Sequence, residues 1–223
     1  MLNNQLWYTL LLCAGFAAPA QAGFISIANP NGAYLAATHL MPVIGNEFDP
    51  VTSVDDGVNT ATFFVSPVLT PSALTIYDVG SGWATWSSPP DSETAAPRVL
   101  GTTPQLEIQL TLPALVFGFE AEPNGFGTSI ITADFFRGGI LQGSISRSVT
   151  GDGGARLFAG FSSLGIDDIF ITSADAFGIA QLRYGNDISA AVPEPGSGLL
   201  MCAVVGLFLV RRTRVIRWHS NRG

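Results

Sequence analysis

From residue 105 to residue 112 the chain alternates without a break. Leu106, Ile108, Leu110 and Leu112 fall on one side and Gln105, Glu107, Gln109 and Thr111 on the other. A period of two is the pattern of a strand buried on one face and wet on the other. Residues 141–149 alternate more loosely, with Leu141, Ile145 and Val149 set against Gln142, Ser144, Ser146 and Ser148. The same reading predicts strands at 24–28, 61–65, 74–79, 115–121, 128–136, 157–161, 166–172 and 177–184. Turn signals separate them, among them Pro123-Asn124-Gly125, Gly138-Gly139, Gly151-Asp152-Gly153-Gly154 and Ala174-Asp175. Short strands broken by Gly, Pro, Asn and Asp, with no long amphipathic helix, predict an all-β fold: an antiparallel β-sandwich or jelly roll. An outer-membrane barrel is the competing reading, and it asks for longer strands with aromatic girdles. Residues 33–59 lack a clear period and read as a long loop or an irregular edge.

Both ends of the chain break this pattern. Residues 6–18 are apolar apart from Thr9, and Ala20-Gln21-Ala22 supplies the small-x-small sequence that signal peptidase accepts, so cleavage before Gly23 is expected. At the other end Val192-Pro193-Glu194-Pro195 is followed by the uncharged run Leu199 to Val210 and then by Arg211, Arg212 and Arg214. The two prolines fix φ and remove two backbone donors, which keeps the tetrapeptide extended and accessible to an enzyme. The arginines belong on the cytoplasmic side of a membrane. A helix over residues 196–210 would rise about 22 Å against a hydrocarbon core of about 30 Å, a marginal transmembrane helix suited to brief residence.

The order of Val192, Pro193, Glu194 and Pro195, then an apolar segment, then Arg211, Arg212 and Arg214 resembles the PEP-CTERM sorting signal. That resemblance implies an exosortase substrate, cut at the PEP motif and passed to the cell surface or extracellular matrix of a bacterium that makes exopolysaccharide. The chain then divides into a signal peptide (1–22), a β-sandwich ectodomain (23–191), the sorting signal (192–214) and a basic cytoplasmic tail (215–223). Residues 117–185 also resemble the C-terminal half of a β-sandwich domain common among PEP-CTERM proteins. That family assigns no catalytic residues to its sandwich, so none is carried over.

Charge and composition narrow the chemistry of the ectodomain. Five arginines face sixteen carboxylates between residues 23 and 191, a net charge of −11 against −7 for the whole chain. So acidic a body repels nucleic acid and anionic headgroups and leaves calcium and neutral glycans as partners. Cys13 and Cys202 lie in the two terminal segments, so the ectodomain has no thiol and forms no disulfide. There is no lysine in the chain, which removes Schiff-base chemistry and lysine bases.

Candidate sites are few. The only histidines are His39 and His219, too few for a zinc site. Residues 160–165 (GFSSLG) are one residue too long for a nucleophile elbow. Glu120 and Glu122, two apart at an expected strand end, project to one face and have the spacing for acid and base work on a glycosidic bond, although the following Pro123-Asn124 suggests a solvated turn. A structural or loop-edge role is the first reading of this pair, with calcium ligation and then catalysis as its alternatives. Asp152, Asp167 and Asp168 form a second acidic set that reads first as turn chemistry. Trp83 and Trp86, three apart, would on a strand face opposite sides, one in the core and one open to stack on a sugar, although core packing or a loop anchor is the first reading of both. The function expected from the sequence is an exported, non-enzymatic surface or matrix protein associated with exopolysaccharide or biofilm. The alternative is a carbohydrate-binding β-sandwich using Trp83, Trp86, Glu120 and Glu122, with a glycoside hydrolase third. No cofactor or metal is expected. The expected partners are exosortase, signal peptidase, the inner membrane and exopolysaccharide.

Overall fold

The computed structural model describes residues 23–65 and 71–187. The signal segment with Ala20 and Ala22, and the sorting segment with Val192 to Pro195 and the arginines Arg211, Arg212 and Arg214, lie outside the described residues. Among the described residues no helix is long and apolar enough to cross a membrane.

The body is nearly all antiparallel β. Its twelve strands are β1 (Ile25–Ile27), β2 (His39–Leu40), β3 (Pro50–Val51), β4 (Ser53–Asp55), β5 (Thr60–Phe64), β6 (Leu74–Asp78), β7 (Arg98–Thr102), β8 (Gln105–Pro123), β9 (Thr128–Arg137), β10 (Ile140–Thr150), β11 (Arg156–Ser173) and β12 (Phe177–Gly185). One short helix, α1 (Gly32–Ala37), is capped by Asn31, whose side chain accepts from the Tyr34 amide. Together the strands form a single continuous sheet.

Two long strands organise it. The 19-residue β8 and the 18-residue β11 pair with each other along both of their halves. The register of that pairing shifts twice, between Phe161 and Ile166 and again between Ile166 and Asp168, the second opposite the stretch of β8 that holds Pro113. Irregularities of this kind bend a strand and let it serve two layers. The first half of β8 and the second half of β11 carry one branch, with β5 and β4 on one side and β9 and β10 on the other. The other halves carry a second branch, with β12, β7, β6 and β3 on one side and β1 on the other.

Both branches feed one core. Leu106, Ile108, Ile131, Phe135, Ile169 and Ile171 come from the first, and Leu100, Phe117, Phe119, Phe158, Phe177 and Ile179 from the second. Phe119 stacks on Phe158 with ring centres 5.7 Å apart. Arg147 of β10 donates to the Ile27 carbonyl of β1 and lies over the Phe158 ring, tying an edge of the first branch to an edge of the second.

The outer faces of the two branches differ, and that difference positions the sites. Along the first half of β8 only alternate residues are buried, whereas every residue from Val116 to Pro123 is buried. Here the outer side of the sheet is roofed by the segment carrying Trp83 and Trp86, which form a second small core with Val99, Ala155 and Ala180, and by α1, whose Tyr34 reaches Gly118. Close approach of this roof needs small residues beneath it. A Cβ at Gly118 would lie 2.4 Å from the Ala159 Cβ and 2.6 Å from the Tyr34 hydroxyl. The outer side of the first branch has no such roof of described secondary structure.

Several expected elements change on this evidence. The strands predicted at 105–112 and 115–121 are one strand, as are those at 157–161 and 166–172, because Pro113 and the Ser162–Gly165 stretch bend the chain without ending its pairing. Residues 33–59 hold α1 and the short marginal strands β2, β3 and β4, an irregular edge and not a long loop. β7 went unpredicted because Arg98 and Gly101 interrupt its apolar run.

Candidate functional site

The four residues singled out in the sequence converge under the roof of the second branch. β8 carries Glu120 and Glu122 on its outer side, and the 83–86 segment crosses above them. Trp83 donates its indole N–H to Glu122 Oε2 at 2.8 Å, and Trp86 donates to Glu120 Oε2 at 2.9 Å. The remaining oxygens are also occupied. Glu120 Oε1 accepts from the Glu93 amide at 2.6 Å, and Glu122 Oε1 accepts from the Gly154 amide at 3.0 Å. Arg183 extends the network by donating to Glu93 Oε1 at 2.7 Å, with both side chains largely buried.

This arrangement corrects two geometric expectations. Residues 83–86 belong to none of the named strands, so the indoles share a side, 6.5 Å apart and edge to face, instead of opposing each other. Glu120 and Glu122 do not end in a solvated turn, because β8 runs on to Pro123 and both carboxylates are fully buried. Burial pushes Glu120 up to about 7, against the pull of its indole and amide donors, and raises Glu122 as well. Trp83 and Trp86 are 5% and 6% exposed, so their ring faces are used in packing. The network clamps the roof onto the sheet. Tyr34 stands beside it, its hydroxyl buried without a partner and its pKa raised by burial and by Glu93.

The open face of the first branch carries the residues that sequence reading passed over. Directly paired positions in an antiparallel sheet point the same way. The register therefore lines up Phe64, Glu107, Phe170, Asp134 and Ser144 in one row across β5, β8, β11, β9 and β10. A neighbouring row holds Thr62, Gln109, Asp168, Phe136 and Leu141. Phe64, Phe136 and Phe170 are half-buried, while the core positions that alternate with them are fully buried. Burial, reinforced by the charges of Glu107 and Asp167, pushes Asp168 up to about 6, and its Oδ1 has no hydrogen-bond partner. One signal for this face was present in the sequence: three phenylalanines, Phe64, Phe136 and Phe170, occupy the polar parity of their strands, where the structure leaves them half-buried.

The other candidates separate. Asp167 accepts from Arg137 and from the Gly138 amide, and Asp152 is exposed in the turn after β10. His39 is exposed on β2 against Tyr184, whose hydroxyl donates to Asp56 at 2.8 Å, and the two rings border an open cleft of about 560 Å³. Among the described residues no group of three or more His, Cys, Asp or Glu is placed to hold a metal ion.

No protein-family model matches the chain, and no curated protein matches it. Among solved structures it is similar to CBM29_1, a family 29 carbohydrate-binding module from Piromyces equi. That similarity has 7% sequence identity and a TM-score of 0.31, over 67% of this chain and 90% of that chain. At that score the likeness carries no weight for fold or ligand.

Proposed function

We propose that the chain is an exported, surface-delivered glycan-binding protein without catalytic turnover. The bent sheet is a β-sandwich whose two branches are its layers, and the open outer face of the first branch is the binding surface. The observation that carries this reading is the row Phe64, Glu107, Phe170, Asp134. It sets apolar rings and hydrogen-bonding carboxylates alternately along a face that lacks the roof closing the other branch. Sugars present apolar ring faces edged with hydroxyls, and such a surface meets both parts at once.

Glycoside hydrolysis by Glu120 and Glu122 is the weaker reading, since all four carboxylate oxygens are engaged by protein donors. Delivery rests on the sequence: cleavage before Gly23, exosortase processing at Val192-Pro193-Glu194-Pro195, and retention in exopolysaccharide at the cell surface. Intact-mass measurement of the protein from hosts with and without an exosortase tests delivery. Loss of the residues after the PEP motif only in the first host is expected, and retention of the whole tail in both contradicts it. A glycan array tests binding.

A further inference from the structure

The charge of the open face specifies its ligand further. Its rows carry Glu107, Asp134 and Asp168, extended by Gln105, Thr132 and Thr172 in a third row, and none of these paired positions is Arg, Lys or His. Among the described residues four acidic groups elsewhere on the body have a cationic partner: Asp78 faces Arg98, Asp91 faces Arg156, Glu93 faces Arg183 and Asp167 faces Arg137. Among the described residues the carboxylates of this face have neutral hydrogen-bond partners, Gln109 for Glu107 and Ser144 for Asp134. A sheet that sorts its few arginines to other carboxylates leaves a negative strip here, interleaved with aromatic rings.

Resting on the glycan-binding reading, we propose that this face recognises amino sugars, and specifically a linear chain of glucosamine-type residues carrying free ammonium groups. The ammonium groups would meet Glu107, Asp134 and Asp168, while ring faces stack on Phe64, Phe170 and Phe136. An ammonium is attracted both by a carboxylate and by the face of an aromatic ring. Adjacent strands stand about 4.8 Å apart, so rings and carboxylates alternate along the row at close to the length of one sugar residue. A polyuronate or sulfated chain would meet only like charge. A neutral chain would satisfy the rings and leave the carboxylates without ionic partners.

The test uses the full chain in mild detergent and three probes: a β-1,4 glucosamine hexamer, the corresponding fully N-acetylated hexamer, and an oligogalacturonate. The glucosamine hexamer is expected to bind at least about tenfold more tightly than the acetylated one, with an affinity that falls as salt is raised. Oligogalacturonate is expected not to bind. The isosteric changes Asp134→Asn and Glu107→Gln should each weaken the glucosamine hexamer several-fold and leave the acetylated hexamer unaffected. Equal binding of the two hexamers overturns the amino-sugar assignment while leaving a glycan-binding face intact. Preference for the oligogalacturonate overturns it as well. Binding of none of the three overturns it, and if a glycan array is also blank, the glycan-binding reading falls with it.

Discussion

Trp86 donates its indole N–H to Glu120 across 2.9 Å, so a residue of the irregular roof is tied to a carboxylate at the centre of the sheet. Removing the donor leaves a buried oxygen unsatisfied, and such a loss costs about 1–3 kcal/mol. Trp86→Phe keeps most of the ring volume and should therefore destabilise by about that amount in chemical denaturation. A change below about 0.5 kcal/mol would mean the bond contributes only packing.

The same carboxylate gives the fold an unusual pH response. Glu120 is pushed up to about 7 and Asp168 to about 6, in both cases first by burial, and Glu122 moves in the same direction. With these pKa values raised on folding, the native state holds protons that the unfolded chain releases between about pH 4 and pH 7, so stability falls as pH rises through that window. The contribution of Glu120 alone is on the order of 3 kcal/mol. Asp56 acts oppositely: burial lifts its pKa, but bonds from Asn59, Tyr184 and Val58 outweigh that and hold it low, so its stabilisation disappears in strong acid. Thermal melts should therefore show a maximum near pH 4 and a decline towards pH 7, and a Tm that climbs steadily from pH 5 to pH 8 would contradict this.

Gly118 tests the closeness of the roof. Alanine there would drive its methyl into Ala159 and the Tyr34 hydroxyl. Overpacking of this kind costs about 1–3 kcal/mol. Gly118→Ala should lower the denaturation midpoint, whereas Gly32→Ala, where nothing lies within 4 Å of the added Cβ, should not.

Much of this fold was legible, and the parts that were not have definite causes. Strict alternation located the first half of β8 because only one of its faces is buried there. The second half lost its alternation because the roof buries its other face, so Glu120 and Glu122 sit among residues buried without period. A solvated turn was inferred for them from Pro123 and Asn124, but strand pairing continues to Pro123 through Phe177. Sequence spacing put Trp83 and Trp86 on a strand, and the donors of their indoles could be matched to those carboxylates only through contacts about 35–40 residues apart, which spacing does not reveal. The phenylalanines of the open face were visible as residues of the wrong polarity for their parity, yet their alignment in one row depends on register between distant strands.

Phe170 separates binding from stability. Its ring is half-buried on the outer face, so Phe170→Ala should cost glycan affinity at least about tenfold while the fold remains intact by circular dichroism. Trp86→Ala should do the reverse, weakening the fold while a ligand on the open face still binds in the folded fraction.

Hydrogen exchange of the full chain with and without a glycan ligand addresses the location of the binding face most directly. Added protection is expected in the first half of β8, in β9 and in the second half of β11, around Glu107, Asp134 and Phe170. Protection confined to residues 83–93, over the Trp86 and Glu120 pair, would contradict the account.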